Sequence, residues 1–379
     1  MLSVIRELDR HGQSVWLDGL ERDLLRRGRL RQYVEEGVRG LTTNPAILER
    51  AIAETSDYDE DIAGLGAHVI PAREIYERLA VQDLRAAADL LRPVWEETDG
   101  RDGYVSLEVS PELAHDVRAT VDEARRLWVA LARPNVMIKV PATAEGIDAI
   151  APLAGAGLNL NVTLLFSRAA YRAAAEAWMA GIEERVLRGE DVSRAASVAS
   201  FFVSRVDGVV DRRLDELAAK ARSPAAREEI LSLRGLAAIA NARLAYREFR
   251  ALLDGSRFQR LRMAGVRPQR VLWASTSVKD PYHSVLAYVE ALVGPDTVDT
   301  MPLETYRALR HGARITASVL DDVENAEAEV AALGRLGISI DEVTDGLLAN
   351  GVRKFVEPFQ RLLTTIEARS AGLDAAADA

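Results

Sequence analysis

Cysteine is absent from all 379 residues. That removes disulfides, thiolate catalysis and cysteine-based metal sites together. No segment approaches the roughly 18 consecutive apolar residues of a membrane-spanning helix. The opening stretch MLSVIRELDRHGQSVW lacks the apolar region of a signal peptide, and with zero cysteine this favours the cytoplasm. No H-E-x-x-H or Cys-rich metal pattern occurs. The Gly-rich phosphate loop of a doubly wound sheet is also missing, because GLGAHV and GAGLNL each lack the third glycine. No stretch rich in Gly, Ser or Pro separates two halves, and no internal repeat is found. A net charge of −10 argues against nucleic-acid binding. The one basic concentration, Arg22, Arg26, Arg27, Arg29 and Arg31, reads as a solvated helix face and the loop after it.

What is present is an alternation. With 48% apolar and 28% charged residues the composition is that of a globular protein. Eight β-favouring runs recur at 14–18, 39–43, 104–109, 135–140, 158–166, 196–203, 270–275 and 296–301, each followed by helical periodicity. Eight such units most simply close into a (β/α)₈ TIM barrel, with a doubly wound open sheet as the alternative. Two connections exceed barrel norms, 44–103 and 206–269, each expected to hold two helices. Ser223-Pro224 reads as a helix start, and Ser339 with Glu342 as a capping box. The C-terminal helices, about 302–373, either cover the barrel mouth or form a contact in a homo-oligomer. The expected organisation is one domain spanning 1–379.

Barrel chemistry gathers where the strands end at their C-terminal side. Those ends read Asp18, Thr42 with Asn44, Glu108, Lys139, Asn161 with Thr163, Ser200 with Arg205, and then Ser275, Ser277 and Lys279; the last run contributes none. Each has a plainer reading. Asp18 suits a helix cap, Asn44 before Pro45 suits a turn, and Thr163 suits any strand. Lys139 resists one, because it stands inside the apolar run NVMIKV. Lysine is rarely buried without compensation. A neutral lysine amine attacks a ketone to form an imine, an electron sink for breaking the adjacent carbon–carbon bond. Burial penalises the charged amine, bringing catalytic lysines toward ~7–8. Asp18 and Glu108 are then available as proton carriers. None of the five histidines (His11, His68, His115, His283, His311) falls at a strand end.

These residues lie in blocks that resemble the transaldolase family, in its longer bacterial form. SVWLDGLERDLL, GLTTNPAIL, VSLEVSPELAHD, NVMIKVPAT with EGIDAI, LNLNVTLLFS, ASFFVSRVDGVVD, LWASTSVKDP and YVEALVGPDTVDTMP stand in family order from about residue 14 to 302. The resemblance implies that Lys139 is the Schiff-base lysine and that Asp18 takes the substrate hydroxyl proton. It implies that Glu108 acts through a water beside Thr163. Asn44 and Asn161 would hold substrate hydroxyls, with Thr42 in the same block as Asn44. Ser200 and Arg205 would hold the carbonyl end and the phosphate. The related sugar-phosphate aldolases tend to carry other residues at Phe202 and Glu108, so both favour the transferase. Shorter family members have a second phosphate arginine after the seventh strand. ASTSVKDP has none, so Lys279 with Ser275 or Ser277 is expected in its place.

The implied reaction moves a dihydroxyacetone unit from sedoheptulose 7-phosphate or fructose 6-phosphate to glyceraldehyde 3-phosphate or erythrose 4-phosphate. It belongs to the non-oxidative pentose phosphate pathway and needs no metal or organic cofactor. Sugar phosphates are the expected partners, without nucleic acid or membrane. An aldolase that releases free dihydroxyacetone and a non-catalytic sugar-phosphate-binding barrel are the alternatives.

Overall fold

The computed structural model describes residues 4–66, 70–278 and 284–377. Each of the eight β-favouring runs becomes a strand: β1 (Gln13–Asp18), β2 (Gly40–Thr42), β3 (Tyr104–Glu108), β4 (Val136–Pro141), β5 (Leu160–Leu165), β6 (Ser197–Phe202), β7 (Arg270–Ala274) and β8 (Thr297–Met301). All pair in parallel in sequence order, and β8 pairs with β1 to close the barrel. The expected (β/α)₈ barrel is therefore the fold, and the open sheet is not. Helices on the outside bury the strand faces that look away from the axis. The core strands accordingly carry apolar residues on both faces.

Period-2 alternation sends Ser14, Trp16 and Asp18 of β1 into the barrel. They form successive layers up the axis. The lowest is ionic: the Arg270 guanidinium donates to Asp102 Oδ1 and to Ser14 Oγ, both at 2.8 Å. Ser14 Oγ in turn donates to Asp102 Oδ2 at 2.8 Å. This buried network plugs the barrel floor. Above it lies Trp16, in register with Gly40 on β2. A β-carbon on Gly40 would stand 2.5 Å from two carbons of the Trp16 ring. Gly40→Ala should therefore lower stability by ~1–3 kcal/mol, the usual effect of overpacking; an unaltered thermal melt would refute this packing.

The insertions hold more helix than expected. Between β2 and β3 lie Pro45–Glu54, Asp59–Gly66 and Ala72–Glu97; between β6 and β7 lie four helices, not two. One of those four opens as expected, with Ser223 Oγ accepting from the Ala226 N–H at 3.2 Å. The undercount falls on the eight-residue helices Asp59–Gly66 and Ser256–Met263, which are too short to show much periodicity. Arg22 also departs from expectation. It is only 4% exposed, bonded to Asp83 and Asp61 with its guanidinium 4.0 Å from the Tyr58 ring centroid. Arg26 and Arg27 are solvated as expected.

The final helix, Ile340–Ala377, crosses the barrel mouth. Ser339 caps it by accepting from the Glu342 N–H at 3.3 Å. Arg369 fastens its far part, donating to the carbonyls of Ala53 and Thr55 and to Asp59. Phe359 packs edge-on against Tyr76, with ring centroids 5.3 Å apart. Gly351 permits close approach to the barrel rim, since a β-carbon there would stand 3.0 Å from Leu164 Cδ2.

Candidate active site

Strand register assembles the site. Asp18 pairs with Thr42, Glu108 with Lys139, and Lys139 with Asn161, so the top interior layer holds these side chains side by side. Lys139 is 4% exposed. Its Nζ donates to the Thr43 carbonyl at 3.2 Å and lies 3.6 Å from Glu108 Oε2. The strand around it is apolar, but the amine itself ends among polar groups. Burial pushes the Glu108 carboxyl up to about 7, against the opposing pull of the Lys139 charge. Among the described residues neither Glu108 oxygen has a hydrogen-bond partner, and neither does the buried Thr163 hydroxyl two positions beyond Asn161. Each of these three oxygens is left open to a hydrogen bond from a bound molecule.

Opposite them, Asp18 accepts from Thr42 Oγ1 at 2.8 Å. It does not cap the following helix, which begins at Arg22 with Glu21 at the cap position. Burial raises the Asp18 carboxyl above the ordinary aspartate value, while Lys139, the Thr42 hydrogen bond and Arg205 restrain the rise. Asn161 joins β3 to β6. Its Nδ2 donates to Ser106 Oγ at 3.1 Å, and Ser200 Oγ donates to its Oδ1 at 2.6 Å. Asn44 has the plainer role as well, its Oδ1 accepting from the Ile47 N–H as helix cap. That cap uses the amide oxygen, and among the described residues no hydrogen bond engages the amide nitrogen beside the cavity.

A cavity of about 120 Å³ lies among Asp18, Lys139, Ser200, Arg205, Ser275 and Ser277, with Thr42, Asn44 and Phe202 also on its wall. It opens into a wider funnel through Asp18, Asn44 and Arg205. The Arg205 guanidinium sits 5.1 Å from the Phe202 ring centroid, within cation–π range. No hydrogen bond or ion pair engages it among the described residues, which leaves a cation free for an anionic group. Burial lowers its proton affinity, and Asp18 and Glu108 oppose this. Ser275 holds φ at +57°, a conformation unusual for a residue with a side chain, and its hydroxyl is 2.9 Å from Ser204 Oγ. Strain of this kind tends to collect at functional sites. Lys279, and with it His68 and His283, lies outside the described residues.

Two wall residues were not expected. Thr300 on β8 shares a 2.7 Å hydrogen bond with Thr42, although no polar group was expected from the last strand. Its register with Trp16 gives it the same inward parity as Asp18, but DTVDTM carries polar residues on both faces and does not single it out. Phe355 arrives from the C-terminal helix, with its ring centroid 5.9 Å from Lys139 Nζ. No local pattern marks it. Among the described residues no group of His, Cys, Asp or Glu forms a metal cluster, and no helix is long and apolar enough to cross a membrane.

Comparison with known proteins agrees with this arrangement. The family model described as Transaldolase/Fructose-6-phosphate aldolase matches residues 15–366. The chain is 44% identical to Transaldolase 2 of Nostoc punctiforme over 373 residues, covering 95% of this chain and 96% of that one. It is 44% identical to a transaldolase of Thiobacillus denitrificans, covering 96% and 100%. A third relative, Transaldolase 1 of Streptomyces coelicolor, is 45% identical, covering 96% and 93%. A closed eight-stranded barrel, a buried amine on β4 flanked by carboxylates on β1 and β3, and a match of this extent have one joint meaning: the chain belongs to the transaldolase/fructose-6-phosphate aldolase family.

Proposed function

We propose that this protein is a transaldolase acting in the non-oxidative pentose phosphate pathway, in the cytoplasm, with the whole chain as one catalytic domain. The observation that carries the reading is the Lys139 amine, buried 3.6 Å from Glu108 in a cavity that Asp18 and Arg205 also line. Lys139 Nζ attacks the C2 ketone of sedoheptulose 7-phosphate or fructose 6-phosphate. Loss of water, aided by Glu108 with a water held beside Thr163, gives the protonated imine. Asp18 takes the C4 hydroxyl proton, the C3–C4 bond breaks, and its electrons pass to the imine nitrogen as an enamine. The aldose phosphate leaves. Glyceraldehyde 3-phosphate or erythrose 4-phosphate then takes its place, and the same steps run in reverse.

Arg205 is the phosphate partner, with Ser275, Ser277 and Lys279 assisting. Asn44, Asn161 and Thr42 hold substrate hydroxyls, and Ser200 holds the carbonyl end. Glu108 and Phe202 support the transferase over an aldolase releasing free dihydroxyacetone. Borohydride added with fructose 6-phosphate should inactivate the enzyme and increase the mass of the peptide holding Lys139. An unmodified Lys139 would defeat the reading, and dihydroxyacetone released as fast without an acceptor as transfer proceeds with one would favour the aldolase.

The Glu108 carboxyl sets a pH dependence. Lifted to about 7, it is protonated below that pH and donates to the departing carbinolamine hydroxyl; above it the carboxylate only accepts. The rate of imine trapping should carry a limb that falls as pH rises through about 7. Glu108→Gln should abolish that limb and slow the step by about 10²-fold or more. A limb unchanged in the variant would assign it to another group.

A further inference from the structure

Phe355 lies on the C-terminal helix, outside the β-strand ends from which the other proposed chemistry comes. It is buried and lines the same cavity as Lys139, Asp18 and Arg205. It also lines the outer funnel, so it stands at the neck between solvent and the amine. Its ring centroid is 5.9 Å from Lys139 Nζ, close enough for the ring face to meet a cationic nitrogen. Three residues on, Pro358 stands inside the helix. A proline there removes the hydrogen bond that the Lys354 carbonyl would accept. The turn bearing Phe355 is therefore held by packing and by anchors on either side. Gly351 rests on Leu164 and Phe166, Phe359 on Tyr76, and Arg369 on the carbonyls of Ala53 and Thr55.

We infer that Phe355 is the seal that decides the fate of the enamine, and so sets the ratio of transfer to release. The inference rests on the Schiff-base reading above. The enamine has two exits. In one, its C3 electron pair forms a bond to the carbonyl carbon of an aldehyde, whose oxygen takes a proton from Asp18. In the other, C3 takes a proton from water to give the protonated imine of dihydroxyacetone. A second water then adds at C2, the C2–N bond breaks, and free dihydroxyacetone leaves with the Lys139 amine restored. Neither exit needs an oxidant or a reductant. Only the second needs water at C3, and the ring stands where such water would enter.

The test measures dihydroxyacetone released from fructose 6-phosphate without acceptor, against transfer to erythrose 4-phosphate, across Phe355→Leu, Phe355→Val and Phe355→Ala. Release relative to transfer should rise as the side chain shrinks, reaching about 10-fold or more in the alanine variant. Borohydride trapping of Lys139 should persist throughout. If the alanine variant does not fold, the leucine and valine variants still give the trend. A ratio unchanged by size, or leucine as leaky as alanine, overturns the seal. Absence of any trapped adduct in the unaltered enzyme would instead overturn the Schiff-base reading, which keeps the two failures apart.

Discussion

Lys139→Arg should leave a folded protein with no measurable transfer, a loss on the order of 10⁴ or more, as expected when a covalent nucleophile is removed. Guanidinium stays protonated at any usable pH and cannot add to a ketone. The fold should survive, because the Glu108 carboxylate and the Thr43 carbonyl that face the amine can accept from a guanidinium instead. Thermal melting close to that of the unaltered protein, with no borohydride-dependent mass increase at position 139, is the expected pair of results. Measurable transfer by the variant would mean that the carbon–carbon bond breaks without an imine at this residue.

Asp18→Asn should separate the two halves of the reaction. The amide keeps the shape of the carboxylate and still accepts from Thr42 Oγ1, which lies 2.8 Å from Asp18 Oδ1. It cannot take the C4 hydroxyl proton. Cleavage should fall by about 10²–10⁴, the usual contribution of a positioned general base. Imine formation does not use this proton, so borohydride should still mark Lys139 with fructose 6-phosphate. A variant that neither cleaves nor forms the adduct would place Asp18 at the imine stage and reassign the proton step.

Much of this molecule was legible before its coordinates. The strands fall within a residue or two of the expected runs because buried parallel strands are continuous apolar stretches bounded by polar turns. The strand-end rule brought Asp18, Thr42, Lys139 and Ser200 to one cavity, because closing the barrel makes those ends neighbours. Thr300 was missed because β8 is polar on both faces, Thr297 and Asp299 being buried as well, so no pattern within the strand singles it out. Arg22 was misplaced because its partners, Asp61 and Asp83, come from distant helices that no local pattern links to it. Phe355 is the fullest case. It sits more than 200 residues from Lys139 in the chain, and only the path of the last helix over the mouth brings the two together. The sequence left open whether that helix covers the barrel or meets another subunit; within this chain it covers the barrel.

The Arg270–Asp102–Ser14 network beneath Trp16 governs traffic. With that end of the axis bolted shut by described residues, whatever reaches Lys139 arrives and departs at the opposite end, where the cavity opens into the funnel. The first aldose must vacate before the second can enter. Two-substrate kinetics should accordingly alternate, each sugar competing with the other for the same threshold.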